Sequence, residues 1–437
     1  MPIFNMIMAR TKFIVLIVCV ARLGALDTTL DGIADDSILR TQLAKTLFVD
    51  TPRSVVARQA RTETLASGVR VQVRSEWNGG DEFSIILARE HNGQFTGWGQ
   101  GSFILTRSVE DGAVRRIRIF LRSDPYTYIQ FRPLSAAKSE FDAVVYDAFL
   151  ARSQPVAVPF NQLLEMPLSE VFKIMNGTFP RRYFEPETAD YRDVRTLIAG
   201  IRREIRPLEF GDDGAMDENG KYVFINSLSA QETTQGLNCS GFAKWVIDGL
   251  LRPVTGKRLA VAPLKQPYGT RGTNFTAPFE RSRDPFFGLD WVRNLAAAAG
   301  SAFKSPAFGS LDEIEVRAAP FQAVLRRTGR TSTVRHYPGH QPNAGYGFEG
   351  IQPLLYTLAI DEPGHIFLGA INREGGTPPL RTYFHVAVLI PYFDEQKVFH
   401  VAVFESAEET SFNRFRVRYP THHINLCRVP IETAFSP

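Results

Sequence analysis

Residues 236–247 read GLNCSGFAKWVI, so a loop of Gly and Asn runs directly into a helical pattern. Apolar side chains recur on one face of that pattern at Phe242, Val246 and Leu250. We therefore expect a helix whose first turn carries Cys239. The free N–H groups and the dipole at a helix start favour a thiolate, and they can stabilise an oxyanion formed by its attack on a carbonyl. The segment indicates a nucleophilic cysteine, with a buried structural thiol as the alternative.

A nucleophilic cysteine needs a base, and the base needs an orienting group. Residues 383–390 (YFHVAVLI) form a strand pattern that begins near His385, and residues 398–405 (VFHVAVFE) form the return strand after a turn. Both His400 and Glu405 lie on this return strand. The register of the hairpin decides which one reaches His385, because a shift of one residue turns every side chain to the other face. We favour His400 as the third residue, with Glu405 as the alternative.

These segments resemble the NlpC-type, papain-like cysteine peptidases of bacterial cell walls. That family has D-C-S-G-F at a helix start, P-G-D and a hydrophobic residue entering a strand, and H-V-G-I on the next strand. The matching segments here are Asn238–Phe242, Pro363–Ile366 and His385–Val388. They occur in the family's order, and Asn238 and His365 stand where the family has aspartates.

The resemblance covers roughly residues 222–404 apart from a long insertion. It implies that Cys239 is the nucleophile and His385 the base, and that His400 or Glu405 orients the histidine. Tyr222 is the nearest match to an upstream tyrosine that helps to form the family's oxyanion site. Ser240, a small residue beside the nucleophile, would line the path of the substrate. No metal or other cofactor is implied.

The chain has 437 residues, 44% of them apolar and 22% charged, which is typical of a globular protein of two or three domains. Its net charge of +4 is spread along the sequence and argues poorly for a nucleic-acid partner. Residues 8–25 combine a basic start, a short apolar run and small residues, the pattern of a secretory signal at 1–25. Removal of that signal would leave two cysteines, Cys239 and Cys427, and no integral membrane segment.

The pattern along the mature chain predicts an α+β protein. We expect a helical N-terminal segment at 26–60, a small all-β binding or positioning domain at 61–155 and a helical linker at 156–210. A papain-like cysteine hydrolase domain at 211–437 would follow. It would contain an insertion at about 253–350, with short helices around residues 289–302 and 311–327.

These expectations combine into an exported protein, periplasmic or on the cell surface, that hydrolyses an amide bond. The resemblance implies peptidoglycan stem peptides, or another peptide, as the substrate. A catalytically silent binding protein that retains the fold is the alternative, favoured by the two replaced aspartates. Lipid deacylation by the same Cys–His pair is a third hypothesis.

Overall fold

The computed structural model describes residues 27–233, 235–269, 284–303, 310–328, 331–377, 379–431 and 434–437. The secretory signal predicted at 1–25 lies outside these residues. The described part is an α+β protein with two large antiparallel sheets. Within it, no helix has both the length and the apolar character needed to cross a membrane.

The helices begin and end as follows: α1 Ser37–Ala44, α2 Pro52–Val56, α3 Phe160–Glu165, α4 Leu168–Ile174, α5 Arg192–Glu204, α6 Cys239–Thr255, α7 Val261–Leu264, α8 Phe287–Phe303, α9 Leu311–Ile314, α10 Ile351–Asp361 and α11 Phe412–Arg418. The strands are β1 Arg61–Thr64, β2 Arg70–Gly79, β3 Glu82–Arg89, β4 Phe103–Ser108, β5 Val114–Phe120, β6 Thr127–Ser135, β7 Lys138–Val145, β8 Ala148–Val156, β9 Gly214–Met216, β10 Tyr222–Phe224, β11 Ala323–Thr328, β12 Thr331–His336, β13 Tyr346–Gly347, β14 His365–Gly375, β15 Leu380–Phe393, β16 Phe399–Glu405, β17 Glu408–Ser411 and β18 His423–Pro430.

The first sheet has ten strands in the order β1-β2-β3-β4-β5-β6-β7-β8-β11-β12. Its first eight strands run as an antiparallel meander, in which each strand pairs with the next one along the chain. One face buries Ile85, Leu105 and Phe131 against apolar side chains of α1, α3 and α4. The last two strands come from the region predicted as an insertion, and they join the sheet where Val324 pairs with Ala148.

That insertion is only partly as expected. The helix predicted around 289–302 is present as α8. The helix predicted at 311–327 is wrong, because α9 ends at Ile314 and β11 begins at Ala323. The β-branched and arginine residues of β11 form a hairpin with β12, and this hairpin extends the ten-stranded sheet.

The second sheet has six strands in the order β13-β18-β14-β15-β16-β17. Apolar side chains on one face, including Val386, Val388 and Val429, belong to the same core as α6 and α8. The opposite face packs Leu389 and Leu426 against α10. The sheet therefore lies between two helical layers, and the helix that begins at Cys239 is held against the strand that carries His385.

Candidate functional site

Helix α6 begins at Cys239, because Asn238 caps it. The Asn238 side chain accepts a hydrogen bond of 2.8 Å from the backbone N–H of Gly241. Asparagine and aspartate cap helices equally well, so Asn238 performs the local task that an aspartate would perform. The cap leaves Cys239 on the first turn, where the sequence predicts it and where N–H groups lack intrahelical acceptors.

The start of α6 is pressed against strand β9. The Asn238 N–H donates to the Gly214 carbonyl at 3.0 Å. A Cβ atom on Gly241 would stand 1.9 Å from that same carbonyl oxygen, so only glycine fits there. From the other side, the indole Nε1–H of Trp291 donates to the Ser240 carbonyl at 2.8 Å. These contacts fix the position of the Cys239 backbone.

Two groups of β15 face the Cys239 sulfur. The His385 side chain and the backbone N–H of Val386 both form hydrogen bonds with it. Nε2 of His385 is engaged with Glu405, so Nδ1 is the ring nitrogen left for Cys239. The two residues are brought together although a long stretch of chain separates them.

Glu405, at the end of β16, is the orienting partner of His385. Its Oε2 lies 2.7 Å from His385 Nε2. The carboxylate is 4% exposed, and it is also held by Arg418 and by the hydroxyl of Thr410. The three side chains Cys239, His385 and Glu405 therefore form one continuous hydrogen-bonded chain.

The contacts of Cys239 and His385 determine which of the two side chains carries the proton. Burial opposes a charge on Cys239, but its hydrogen bonds with His385 and Val386 outweigh burial, and the pKa of the thiol falls below its ordinary value. Burial also opposes an imidazolium, yet Cys239 and Glu405 raise the pKa of His385 to about 9. An ordinary thiol has a pKa of about 8.5 and an ordinary histidine about 6.5. Both shifts favour a thiolate beside an imidazolium.

His400 does not reach His385, which corrects the preference drawn from the sequence. The register of β15 and β16 pairs Tyr392 with His400, seven residues along the strand from His385. At about 3.3 Å per residue that separation is about 23 Å. His400 instead forms a hydrogen bond of 2.8 Å with Asp394, a residue of the hairpin turn. Glu405, the alternative, occupies the position beside His385.

The other residues singled out in the sequence have different locations. Ser240 lines the same cavity as Cys239, and its Oγ lies 4.0 Å from the Cys239 sulfur. Tyr222 is half-buried on β10 and is not among the described residues that line that cavity. His365 begins β14 opposite Pro430, at the far end of the sheet from His385. Cys427 is a buried free thiol in β18, and Cys239 is also free.

The site opens into a cavity of about 780 Å³. Its aromatic lining comes from Phe210, Phe287, Tyr383 and Phe384. Its charged lining consists of three carboxylates and one ammonium group: Asp212, Asp213, Asp284 and Lys265. The cavity is large enough for a peptide-sized ligand and carries groups for both signs of charge. In the described part of the chain, no cluster of three or more His, Cys, Asp or Glu side chains could hold a metal ion.

Several residues that complete the site carry no signal in the sequence. The ring of Tyr419 lies 6.0 Å from that of His385 and covers it. Arg418 reaches Glu405 from α11, and Trp291 supports the Cys239 loop from α8. None of these residues belongs to a recognisable motif, and only the folded chain brings them to the site.

Residues 29–183 match the family described as a domain of unknown function (DUF8515). This match covers the first eight strands and the helices packed on them, and it ends before Cys239. No curated protein and no solved structure matches the chain.

Proposed function

We propose that this protein is an exported cysteine hydrolase that cleaves an amide bond by means of Cys239, His385 and Glu405. The observation that carries the proposal is the series of contacts from Cys239 through His385 to Glu405, in which Cys239 and His385 line the cavity of about 780 Å³. A cysteine at a helix start beside an antiparallel sheet that bears the histidine also supports a papain-like, NlpC-type arrangement.

The first chemical step is an attack by the Cys239 thiolate on the carbonyl carbon of the substrate amide. A carbon–sulfur bond forms, and the carbonyl oxygen becomes an oxyanion. The N–H groups at the start of α6 are placed to stabilise this charge, because the first N–H groups of a helix have no intrahelical acceptor. Collapse of the intermediate breaks the carbon–nitrogen bond and leaves a thioester on Cys239.

His385 supplies and later removes the proton that this chemistry needs. As an imidazolium it donates the proton to the departing amine, and as a neutral base it then takes a proton from the water that hydrolyses the thioester. Glu405 holds the ring in place and stabilises its protonated form, with 2.7 Å between Oε2 and Nε2. The thiolate is regenerated at the end of the cycle.

Peptidoglycan stem peptides are the substrate class that we propose. They carry amino and carboxylate groups close to their amide bonds, and the cavity offers Lys265 for one sign of charge and three aspartates for the other. The resemblance around Cys239 and His385 points to the same class. The secretory signal expected at 1–25 would bring the protein to that substrate.

The test is hydrolysis of defined stem peptides by the purified mature protein, followed by mass spectrometry. Wild-type protein should release an amine from one amide bond, and Cys239→Ala and His385→Ala should release none. Cys427→Ala is the matched control, since it removes the other free cysteine and should retain activity. Binding of stem peptides without any cleavage, together with an unreactive Cys239, would favour the silent binding protein instead.

A further inference from the structure

A second cavity, of about 670 Å³, lies on the ten-stranded sheet and is strongly basic. Six of its lining residues are arginines: Arg115, Arg116, Arg118, Arg132, Arg152 and Arg327. Only two carboxylates line it, those of Glu82 and Asp142. Three further carboxylates outside the lining form ion pairs with these arginines: Asp111 with Arg115, Glu140 with Arg132 and Asp147 with Arg327.

Among the described residues, Arg152 and Arg118 are the members of this group that have no carboxylate partner, and Arg118 is the less exposed of the two. Its Nη2 donates to the neutral Gln130 side chain at 3.0 Å, and its guanidinium carbon lies 4.2 Å above the Tyr128 ring. Its Nε is buried without an acceptor. Burial lowers the pKa of Arg118, and the charges of the neighbouring arginines act in the same direction. A half-buried cation of this kind gains stability from an oxyanion.

The arginines are spread across the sheet in a row of strands. Arg118 lies on β5, Arg132 on β6, Arg152 on β8 and Arg327 on β11. The strands are neighbours in the order β5-β6-β7-β8-β11, so they extend across four inter-strand steps. At about 4.8 Å per step, these arginines are spread over about 19 Å. Such a row matches an extended ligand with repeated negative groups better than a single small anion.

We propose that the basic cavity binds a linear polyanion through its phosphate, sulfate or carboxylate groups. Guanidinium groups suit this task because their planar donors match the geometry of such oxyanions. Arg118 binds one group at the floor of the cavity, and the exposed Arg115 and Arg152 bind others at its sides. The site does not depend on Cys239 or on the proposed hydrolysis.

The lining argues against recognition of nucleic-acid bases. Proteins that bind single strands stack the bases on exposed aromatic rings. Here Tyr128 is 1% exposed and Phe149 is 6% exposed, so neither ring is available for stacking. The ligand is recognised by its charge, and its affinity should fall steeply as salt is added.

The experiment is fluorescence anisotropy with the full mature chain and three labelled probes: polyphosphate, heparin and polygalacturonate. These probes separate phosphate, sulfate and carboxylate as sources of the same chemistry. We expect binding at about 50 mM salt that weakens at least about tenfold by about 200 mM. Arg118→Gln should weaken binding of the preferred probe about tenfold, the loss expected for one charge-assisted contact.

Two further variants make the result decisive. The double variant Arg115→Gln/Arg152→Gln changes only exposed side chains, so it tests binding even if Arg118→Gln disturbs the fold. Arg61→Gln removes the same charge at the opposite edge of the sheet, where the side chain is 55% exposed, and should bind like wild type. No binding at low salt, or equal weakening by Arg61→Gln, would overturn the proposal. So would preference for single-stranded DNA over polyphosphate of equal charge, or binding to anionic vesicles alone.

Discussion

His385 and Glu405 are joined by a hydrogen bond of 2.7 Å between Nε2 and Oε2, although they stand 20 residues apart on neighbouring strands. The contact places a buried carboxylate behind the imidazole that faces Cys239. A second histidine–carboxylate pair, His400 and Asp394, lies at the other end of the same hairpin with a separation of 2.8 Å. The two pairs have similar geometry, so a substitution in the His400–Asp394 pair is a matched control for a substitution in the His385–Glu405 pair.

The first prediction concerns Glu405→Gln. Loss of the carboxylate removes the group that orients His385 and helps to keep it protonated, so we expect the rate of amide cleavage to fall about 100-fold or more. His400→Gln should leave the rate unchanged, because it breaks only the distant pair. Steady-state hydrolysis of a stem peptide by both variants gives the comparison. A large loss in His400→Gln with none in Glu405→Gln would refute the assignment of the third residue.

The second prediction concerns pH. The lowered pKa of Cys239 means that its thiolate exists below the usual thiol range, and the pKa of about 9 for His385 means that the imidazolium persists to mildly alkaline pH. Alkylation by iodoacetamide should therefore be fast already near neutral pH. Hydrolysis, which also needs the imidazolium proton, should decline as pH rises through about 9.

The control for this pH dependence is His385→Ala. Without the imidazolium the thiol should titrate at its ordinary pKa of about 8.5 or above, since burial alone raises the pKa of a thiol. The alkylation rate of the variant should then rise only in alkaline solution. The same pH profile in wild type and His385→Ala would show that the two side chains do not share a proton.

The third prediction separates the two described cysteines. Cys427 is fully buried, and burial raises the pKa of its thiol far above the ordinary range. Native mature protein should therefore take up one alkyl group at neutral pH and a second only after unfolding. Intact-protein mass spectrometry measures both. Cys239→Ala should take up none while folded, and any labelling of that variant in the native state would contradict the burial of Cys427.

The fourth prediction concerns the loop that positions Cys239. Gly241→Ala would place a methyl group 1.9 Å from the Gly214 carbonyl oxygen, so the backbone of α6 or β9 must move. We expect a loss of unfolding free energy of about 1–3 kcal/mol or more, together with loss of Cys239 reactivity. Denaturant titration measures the unfolding free energy, and the alkylation rate measures the reactivity of Cys239. Gly347→Ala meets no atom within 4 Å and should be neutral in both measurements.

The sequence was sufficient to predict that Cys239 and His385 lie together. The cap and the helical pattern around Cys239 are set by residues adjacent in the sequence, so the sequence alone predicts that Cys239 begins a helix. His385 directly precedes the apolar run at residues 386–390, a pattern that predicts a buried strand. Both features can be recognised from single stretches of sequence, and the structure places the two side chains in contact.

The choice between His400 and Glu405 as the partner of His385 depends on the register of the hairpin formed by β15 and β16. The turn at residues 394–398 is tight, since the N–H of Asp394 donates to the Val398 carbonyl. Counting outward from that turn pairs His400 with Tyr392 and leaves Glu405 nearest to His385. The residue type alone does not decide the pairing, because the register of the two strands fixes which side chain reaches His385.

The long-range pairing of the ten-stranded sheet could not be predicted. Strand β11 pairs with β8 through Val324 and Ala148, although these two residues lie far apart in the sequence. Nothing local at either residue specifies the other. Arg418 and Tyr419 reach the site in the same way, through the tertiary fold alone.

The addition of β11 and β12 to the first sheet has a consequence for synthesis of the protein. While the ribosome is still translating the middle of the chain, β8 is an open edge with unpaired backbone groups. Strands β11 and β12 join this edge, where Val324 pairs with Ala148, only after residue 336 has left the exit tunnel, when the Cys239 helix has already been made. The first sheet is therefore completed only after three quarters of the chain has been synthesised.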